Sequence, residues 1–369
     1  MTALGIFLAA LALVAYAYAG YPALCFLRAR LMPRPIARRP IRPRVTVIVA
    51  AFREAKIIVA KLENLAAQSY PADLTDLVIA CDGSDDGTPE IARAAGERLF
   101  GDRLTVLALP ERHGKPTALN AAAAAAKGSV FVLTDARQPL AVDAIERLVE
   151  DLGDPDVGAV GGKLVLGGDE PVGAYWKYES LLRELEGRAG STVGVSGALY
   201  AIRRELFEPL PEGTILDDLL VPMRVRLAGL RVAFDRLAIA EDQAAPSGRE
   251  FQRKVRTLSG NFQLLLLEPA LLAPWRNPSW LDFISHKLLR LAVPWALMTA
   301  LVASALLPAP WSILLVGGQA AAYGLAALRG MKLLAGSRVA GLAETFVVLN
   351  AAAVVALFRF LRHGRNLPW

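Results

Sequence analysis

Three short segments of this chain combine acids with glycines or basic residues in ways that suit chemistry. They are Cys81-Asp82-Gly83-Ser84-Asp85-Asp86-Gly87-Thr88, Thr134-Asp135-Ala136-Arg137-Gln138 and Ile215-Leu216-Asp217-Asp218. The first mimics a calcium loop, because Asp82, Ser84, Asp86 and Gly87 fall on its first, third, fifth and sixth positions. The twelfth position, which needs a bidentate glutamate, holds Arg93, and a strand precedes the loop where a helix is required. The plain alternative is a Gly/Asp-rich turn capping a helix that starts near Thr88. Gly194-Val195-Ser196-Gly197-Ala198 lacks the last glycine of a serine-hydrolase elbow. Neither G-x-G-x-x-G after a strand nor G-x-x-x-x-G-K-[ST] is present, which excludes the usual dinucleotide and P-loop sites. Asp217 and Asp218 open a helix, where negative charge suits the helix dipole.

Elements that position these segments follow from hydrophobic pattern. Val45–Ala51, 77–81, Leu104–Leu109 and 130–134 are short apolar runs rich in β-branched residues, as strands buried on both faces of a parallel sheet require. Helical segments 54–68, Thr88–Phe100, 115–127 and 140–152 lie beside them. Strand–helix alternation predicts an α/β fold with a doubly wound sheet. Such sheets bind ligands beyond the carboxyl ends of their strands, where the acids and glycines recur.

The 369 residues are 54% hydrophobic and 21% charged, too apolar for an ordinary soluble enzyme and too charged for a bare membrane bundle. Residues 2–27 form a nearly unbroken apolar run, long enough to span a bilayer. Its basic residues follow it instead of preceding it, unlike a signal peptide. We therefore expect a membrane helix over 1–27. Residues 28–44 hold seven arginines, four prolines and no acid. They predict an extended linker lying against anionic headgroups on the cytoplasmic side. That linker explains the net charge of +6 without nucleic acid. Apolar stretches return at 288–307 and 312–328, followed by a basic loop at 329–338. The stretch 339–358 is left open between a span and a re-entrant or partner-packed helix. Residues 262–272 are too short to span and suit an interfacial helix. The expected organisation is a soluble domain over 45–260, an interfacial segment over 261–282 and a membrane region over 283–369. Two cysteines and three histidines support neither a disulfide framework nor a structural zinc site.

Taken in order, VTVIVAAFRE, ACDGSDDGT, HGKPTALNAAAAAAKG and FVLTDARQ resemble the family-2 glycosyltransferases of GT-A fold. The resemblance covers about 45–260, and the anchors at both ends resemble the bacterial polysaccharide and glycolipid synthases of cellulose and hyaluronan synthase type. It implies a membrane-bound inverting transferase, acting at the cytoplasmic face. The sugar would move from a nucleotide diphosphate donor, most simply a UDP-sugar, to a hydroxyl of a glycan or glycolipid. Ala51 and Glu54 would then touch base and ribose, and Asp82 would accept a hydrogen bond from the base. Lys115, at a helix start, would face the diphosphate. Asn120 is as readily a plain helix-surface polar residue. Asp135 matches the first acid of D-x-D, but Arg137 replaces the second. Three outcomes stay open: Arg137 itself holds the departing diphosphate, Asp135 holds Mg or Mn with other ligands, or activity is lost. Cys81 replaces another usual acid. Gly197 and Ala198 would form a close-packed turn on the acceptor side. Asp217 and Asp218 stand where the family carries its catalytic acids, with Asp218 the base. Arg253 and Arg256 occupy the place of Q-x-x-R-W and would clamp the diphosphate or bind headgroups; Thr257 replaces the tryptophan, which puts processivity in doubt. The rivals are transfer of one sugar to a polyprenyl phosphate and a catalytically inactive membrane scaffold.

Overall fold

The computed structural model describes residues 2–167, 172–243, 250–365 and 367, apart from the side chains of 172–175, 243 and 250. Its strands are β1 (Val45–Ala51), β2 (Thr75–Asp82), β3 (Leu104–Leu109), β4 (Val130–Asp135), β5 (Val157–Gly167), β6 (Tyr200–Arg203) and β7 (Arg231–Gln243). They form one seven-stranded sheet in the order β3-β2-β1-β4-β6-β5-β7. The first four strands run parallel, β6 is antiparallel to both neighbours, and β5 and β7 pair in parallel.

The apolar runs are continuous because helices cover both faces. Val45, Val47 and Val49 meet Leu62, Ala95 and Leu148 on one side. Ile48 and Phe131 meet Leu119, Leu220 and Met223 on the other. Register aligns Ala51 with Cys81 and Ala50 with Asp135. Asp82 and Asp135, each the last residue of its strand, therefore stand on one rim.

Several boundaries differ from expectation. The helix expected over 54–68 begins at Ile58, because Thr88 and Asp86 side chains take the N–H groups of Glu54 and Ala55 at 2.9 and 3.1 Å. The helix expected over 140–152 runs Ala144–Asp151; Leu140 instead bridges to Ala240 at the sheet edge. The first helix runs Ala3–Leu31, four residues past the apolar run, and stops just before Pro33.

The linker beyond it is extended, and three of its arginines reach acids of the sheet domain. Arg38 pairs with Asp151 at 2.5 Å and Asp235 at 3.0 Å, Arg42 with Glu146 at 2.6 Å and Arg44 with Asp76 at 2.6 Å. Asp76, Asp151 and Asp235, all buried at the domain edge, and the half-buried Glu146 supply the counter-charges for these three guanidinium groups. The segment expected at the interface packs in part on the domain. Residues 262–267 finish a helix, Glu250–Leu267, and Leu264 and Leu271 are buried in the domain core with Phe283.

Four helices are long and apolar enough to cross a membrane: Ala3–Leu31, Trp280–Ala305, Trp311–Gly330 and Arg338–His363. The last also packs on helix Glu250–Leu267. Phe262 stacks on Phe360 at 5.6 Å, and Val255 meets Ala352 and Ala356.

Candidate active site

The rim is assembled by short links between strand ends. Asp82 closes β2, and its two carboxylate oxygens accept the backbone N–H groups of His113 and Gly114, each at 2.8 Å. Gly83 lies at φ +64°, and a Cβ there would come within 2.5 Å of the Arg112 nitrogen, so only glycine allows this close approach. Asp82 is 4% exposed. It is a buried anchor for the loop before Lys115. The rest of its turn is equally occupied. Asp85 pairs with Arg53 at 2.7 Å, and Asp86 accepts the Thr88 N–H at 3.1 Å.

Lys115 opens helix Lys115–Ala125 directly after that anchored loop. Its ammonium donates to Asp135 at 2.8 Å and lies 3.4 Å from Asp217. Burial alone would lower the Lys115 pKa, but Asp135 and Asp217 outweigh it and hold the ammonium well above its ordinary value. Asp217 is buried, and its Oδ2 makes no hydrogen bond.

Asp218, next on helix Asp217–Leu227, has its pKa pushed up to about 6. Burial is the main cause and the Asp217 charge the second; Lys115, Arg183 and Lys287 oppose both. The turn opposite fits closely. A Cβ on Gly197 would sit 3.2 Å from the Lys115 ammonium and 3.7 Å from Asp218 Oδ2. The Val195 N–H donates to the Asp218 carbonyl at 3.0 Å, and the Thr134 hydroxyl donates to the Ala198 carbonyl at 2.7 Å.

Nine of the expected site residues line one cavity of about 460 Å³: Lys115, Asp135, Arg137, Gly197, Ala198, Asp217, Asp218, Arg253 and Arg256. Ala51, Glu54 and Asp82 stand beside it and do not line it. Ala51 is 2% exposed, which leaves its side chain out of any ligand contact. Glu54 is half-buried, and its carboxyl pKa is raised, chiefly by burial, against the charge of Arg137. Arg137 reaches Asp242 at 3.0 Å. Asn120 bonds the Leu210 backbone through both amide atoms at 2.8 Å, a structural role.

Sequence reasoning missed Asp242, Trp176, Arg183, Lys287 and Arg290, all of which line the same cavity. Lys287 and Arg290 at the start of an apolar stretch were the available signal for the last pair. Trp176 supplies an aromatic wall that Thr257 does not.

A divalent cation needs several oxygen ligands. Here the Lys115 ammonium lies between Asp135 and Asp217, and Arg137 takes the second acid's place. Among the described residues no three His, Cys, Asp or Glu side chains come together as a metal site. The side chains do not fit a resident metal ion.

Comparison with known proteins agrees with this geometry. Residues 43–258 match the family model described as "Glycosyltransferase like family 2". An N-acetylglucosaminyltransferase of Rhizobium meliloti is 30% identical over 187 residues, 48% of this chain and 42% of that protein. The match thus spans under half of that relative's length. Glycosyltransferase AglE of Haloferax volcanii is 26% identical over 232 residues, 61% of this chain and 75% of that one. Among solved structures, the mannosyltransferase PcManGT of Pyrobaculum calidifontis, in complex with GDP-Man and Mn2+, superposes with a TM-score of 0.75 and 29% identity. That superposition covers 96% of this chain and 99% of PcManGT. With the seven-stranded sheet, the acidic rim and the matched residues in agreement, the chain belongs to the family-2 glycosyltransferases and carries their GT-A fold.

Proposed function

We propose that this chain moves a sugar, with inversion, from a nucleotide diphosphate donor to a hydroxyl of a glycan or glycolipid at the cytoplasmic membrane face. The observation that carries the reading is the ammonium of Lys115, held between Asp135 and Asp217 beside Asp218. In the transfer, Asp218 takes the proton of the acceptor hydroxyl. The hydroxyl oxygen bonds to the anomeric carbon as that carbon's bond to the diphosphate breaks, and the electron pair leaves on the diphosphate. A pKa of about 6 leaves Asp218 mostly ionised near neutrality, yet more basic than an ordinary aspartate. Lys115 and Arg137 meet the developing diphosphate charge, with Arg253 and Arg256 behind them.

A UDP- or GDP-sugar suits the donor role, since one relative is an N-acetylglucosaminyltransferase and PcManGT was solved with GDP-Man. Mn2+ accompanies that neighbour. Four apolar helices support membrane attachment, and the basic residues at 28–44 and 329–338 support the cytoplasmic side.

The test is a panel of nucleotide sugars offered to the full-length protein in native membranes, with and without Mn2+. One donor should be consumed with transfer into a membrane-extractable product. Absence of both transfer and donor hydrolysis across the panel would leave the inactive-scaffold reading.

A further inference from the structure

The cavity holds more positive charge than a donor diphosphate needs. Eight Lys and Arg side chains and five Asp and Glu side chains line it. Several of the cations already have partners: Lys115 has Asp135, Arg137 has Asp242, and Arg290 has Glu179. Glu179, another lining acid, also takes His286 at 3.2 Å. Arg183 and Lys287 are different. Both are half-buried, and neither forms a hydrogen bond or ion pair among the described residues. Arg183 lies over the ring of Trp176 at 5.5 Å. Both charges act on Asp218, so they face the reacting end of the cavity.

Acids act on both cations at a distance: Glu179 and Glu186 act on Lys287, and Asp218 is under the influence of both. Neither cation has a direct partner among the described residues, and a ligand that supplies a hydrogen-bonding anion removes the cost of holding them partly buried. Their location argues against the donor as that ligand. Arg183 comes from helix Val172–Ala189, which packs on the first helix through Tyr21, whose hydroxyl donates to Glu186 at 2.7 Å. Lys287 comes from Trp280–Ala305, one of the helices apolar enough to cross a membrane. Asp135 instead ends β4, and Lys115 opens the helix that follows β3, both on the rim of the sheet.

We infer that Arg183 and Lys287 form an anion subsite for the acceptor, so that the acceptor carries a phosphate group near the hydroxyl that Asp218 deprotonates. This deepens the transferase reading and rests on it. The phosphate undergoes no covalent change; it fixes the acceptor in the cavity while the hydroxyl reacts. Its chemistry is shared by a lipid phosphate entering from the membrane and by a soluble phosphate ester. Trp176, beside Arg183, is placed to meet the sugar or chain attached to it.

The experiment uses the full-length protein in phosphatidylcholine nanodiscs, titrated with hexadecyl phosphate, hexadecanol or inorganic phosphate while intrinsic fluorescence is followed. Hexadecyl phosphate should bind saturably and hexadecanol should not. Arg183→Gln and Lys287→Met should each weaken hexadecyl phosphate about tenfold or more, as loss of a charge-assisted contact does. Lys287→Arg should restore binding, and nucleoside diphosphate affinity should stay within about twofold throughout. Inorganic phosphate binding as tightly as the alkyl phosphate would keep the subsite and assign it to a soluble acceptor. Equal response to phosphate and alcohol would overturn the subsite. An equal loss of nucleoside diphosphate affinity in the two variants would overturn it too, by giving these cations to the donor. Should the wild-type chain bind no nucleoside diphosphate, the transferase reading fails, while the alkyl phosphate titration still reports on the subsite.

Discussion

Lys115 and Asp135 form a 2.8 Å ion pair that joins the first residue of helix Lys115–Ala125 to the last residue of β4. The same ammonium reaches Asp217 at 3.4 Å, so one side chain ties the donor-side rim to the helix carrying the proposed base. Both ends of that link are themselves held. Asp82 fixes Gly114 from below, and the Thr134 hydroxyl fixes the turn at Ala198.

Lys115→Met should weaken nucleoside diphosphate binding about tenfold or more, because a charge-assisted contact is lost. It should also raise the Asp218 pKa further above about 6, since Lys115 is the largest of the charges that oppose the rise. Calorimetric titration and the acid limb of the rate profile read these two effects separately. An unchanged affinity would remove Lys115 from the donor site.

Asp218→Asn should keep nucleotide binding and lose ~10²–10⁴-fold in turnover, the usual share of a general base. In the native chain, turnover should fall as pH drops through about 6, where the carboxylate becomes protonated. The stability sign is the opposite of an ordinary paired acid. The folded pKa exceeds the unfolded one, so the folded state binds more protons between about 4 and 6 and stability from this group falls as pH rises across that window. A rate profile flat from pH 5 to 8 would contradict the assignment.

Lys61 is 3% exposed, and its ammonium donates to the Thr134 hydroxyl at 2.9 Å and the Gln138 carbonyl at 2.6 Å. It thus braces the loop that presents Asp135 and Arg137. Burial lowers its pKa to about 7. The unfolded chain then binds more protons between about 7 and 10, so stability should rise with pH there, and Lys61→Met should abolish the rise. Thermal unfolding of both proteins at pH 7 and pH 9.5 compares them directly.

Arg38→Ala should destabilise the protein by about 1–3 kcal/mol, since it strips the counter-charge from Asp151 and Asp235, both almost fully buried. The lower part of that range applies because nearly half of Arg38 remains in water. Arg30→Ala, on the exposed end of the first helix, should change stability little. Equal effects from the two substitutions would return the linker arginines to a headgroup role.

While β5, β6 and β7 were not legible in it, the sequence by itself determined the first four parallel strands, their order along the chain and the acids after them. These are local matters: a run such as Val45–Ala51 is apolar throughout because both of its faces are buried, and one residue's neighbours in sequence report that. It also determined that the ends of the chain are apolar enough for a membrane. Only the tertiary structure decided which partner each rim residue has. Asp82 holds the N–H groups of His113 and Gly114. Arg38, Arg42 and Arg44 of the 28–44 linker meet Asp151, Asp235, Glu146 and Asp76, partners that the linker's own composition does not name. Arg183 and Lys287, about a hundred residues apart, share a cavity with Asp218. Which charge finds which partner depends on burial and distance across the closed sheet, and neither is written in the spacing of residues along the chain.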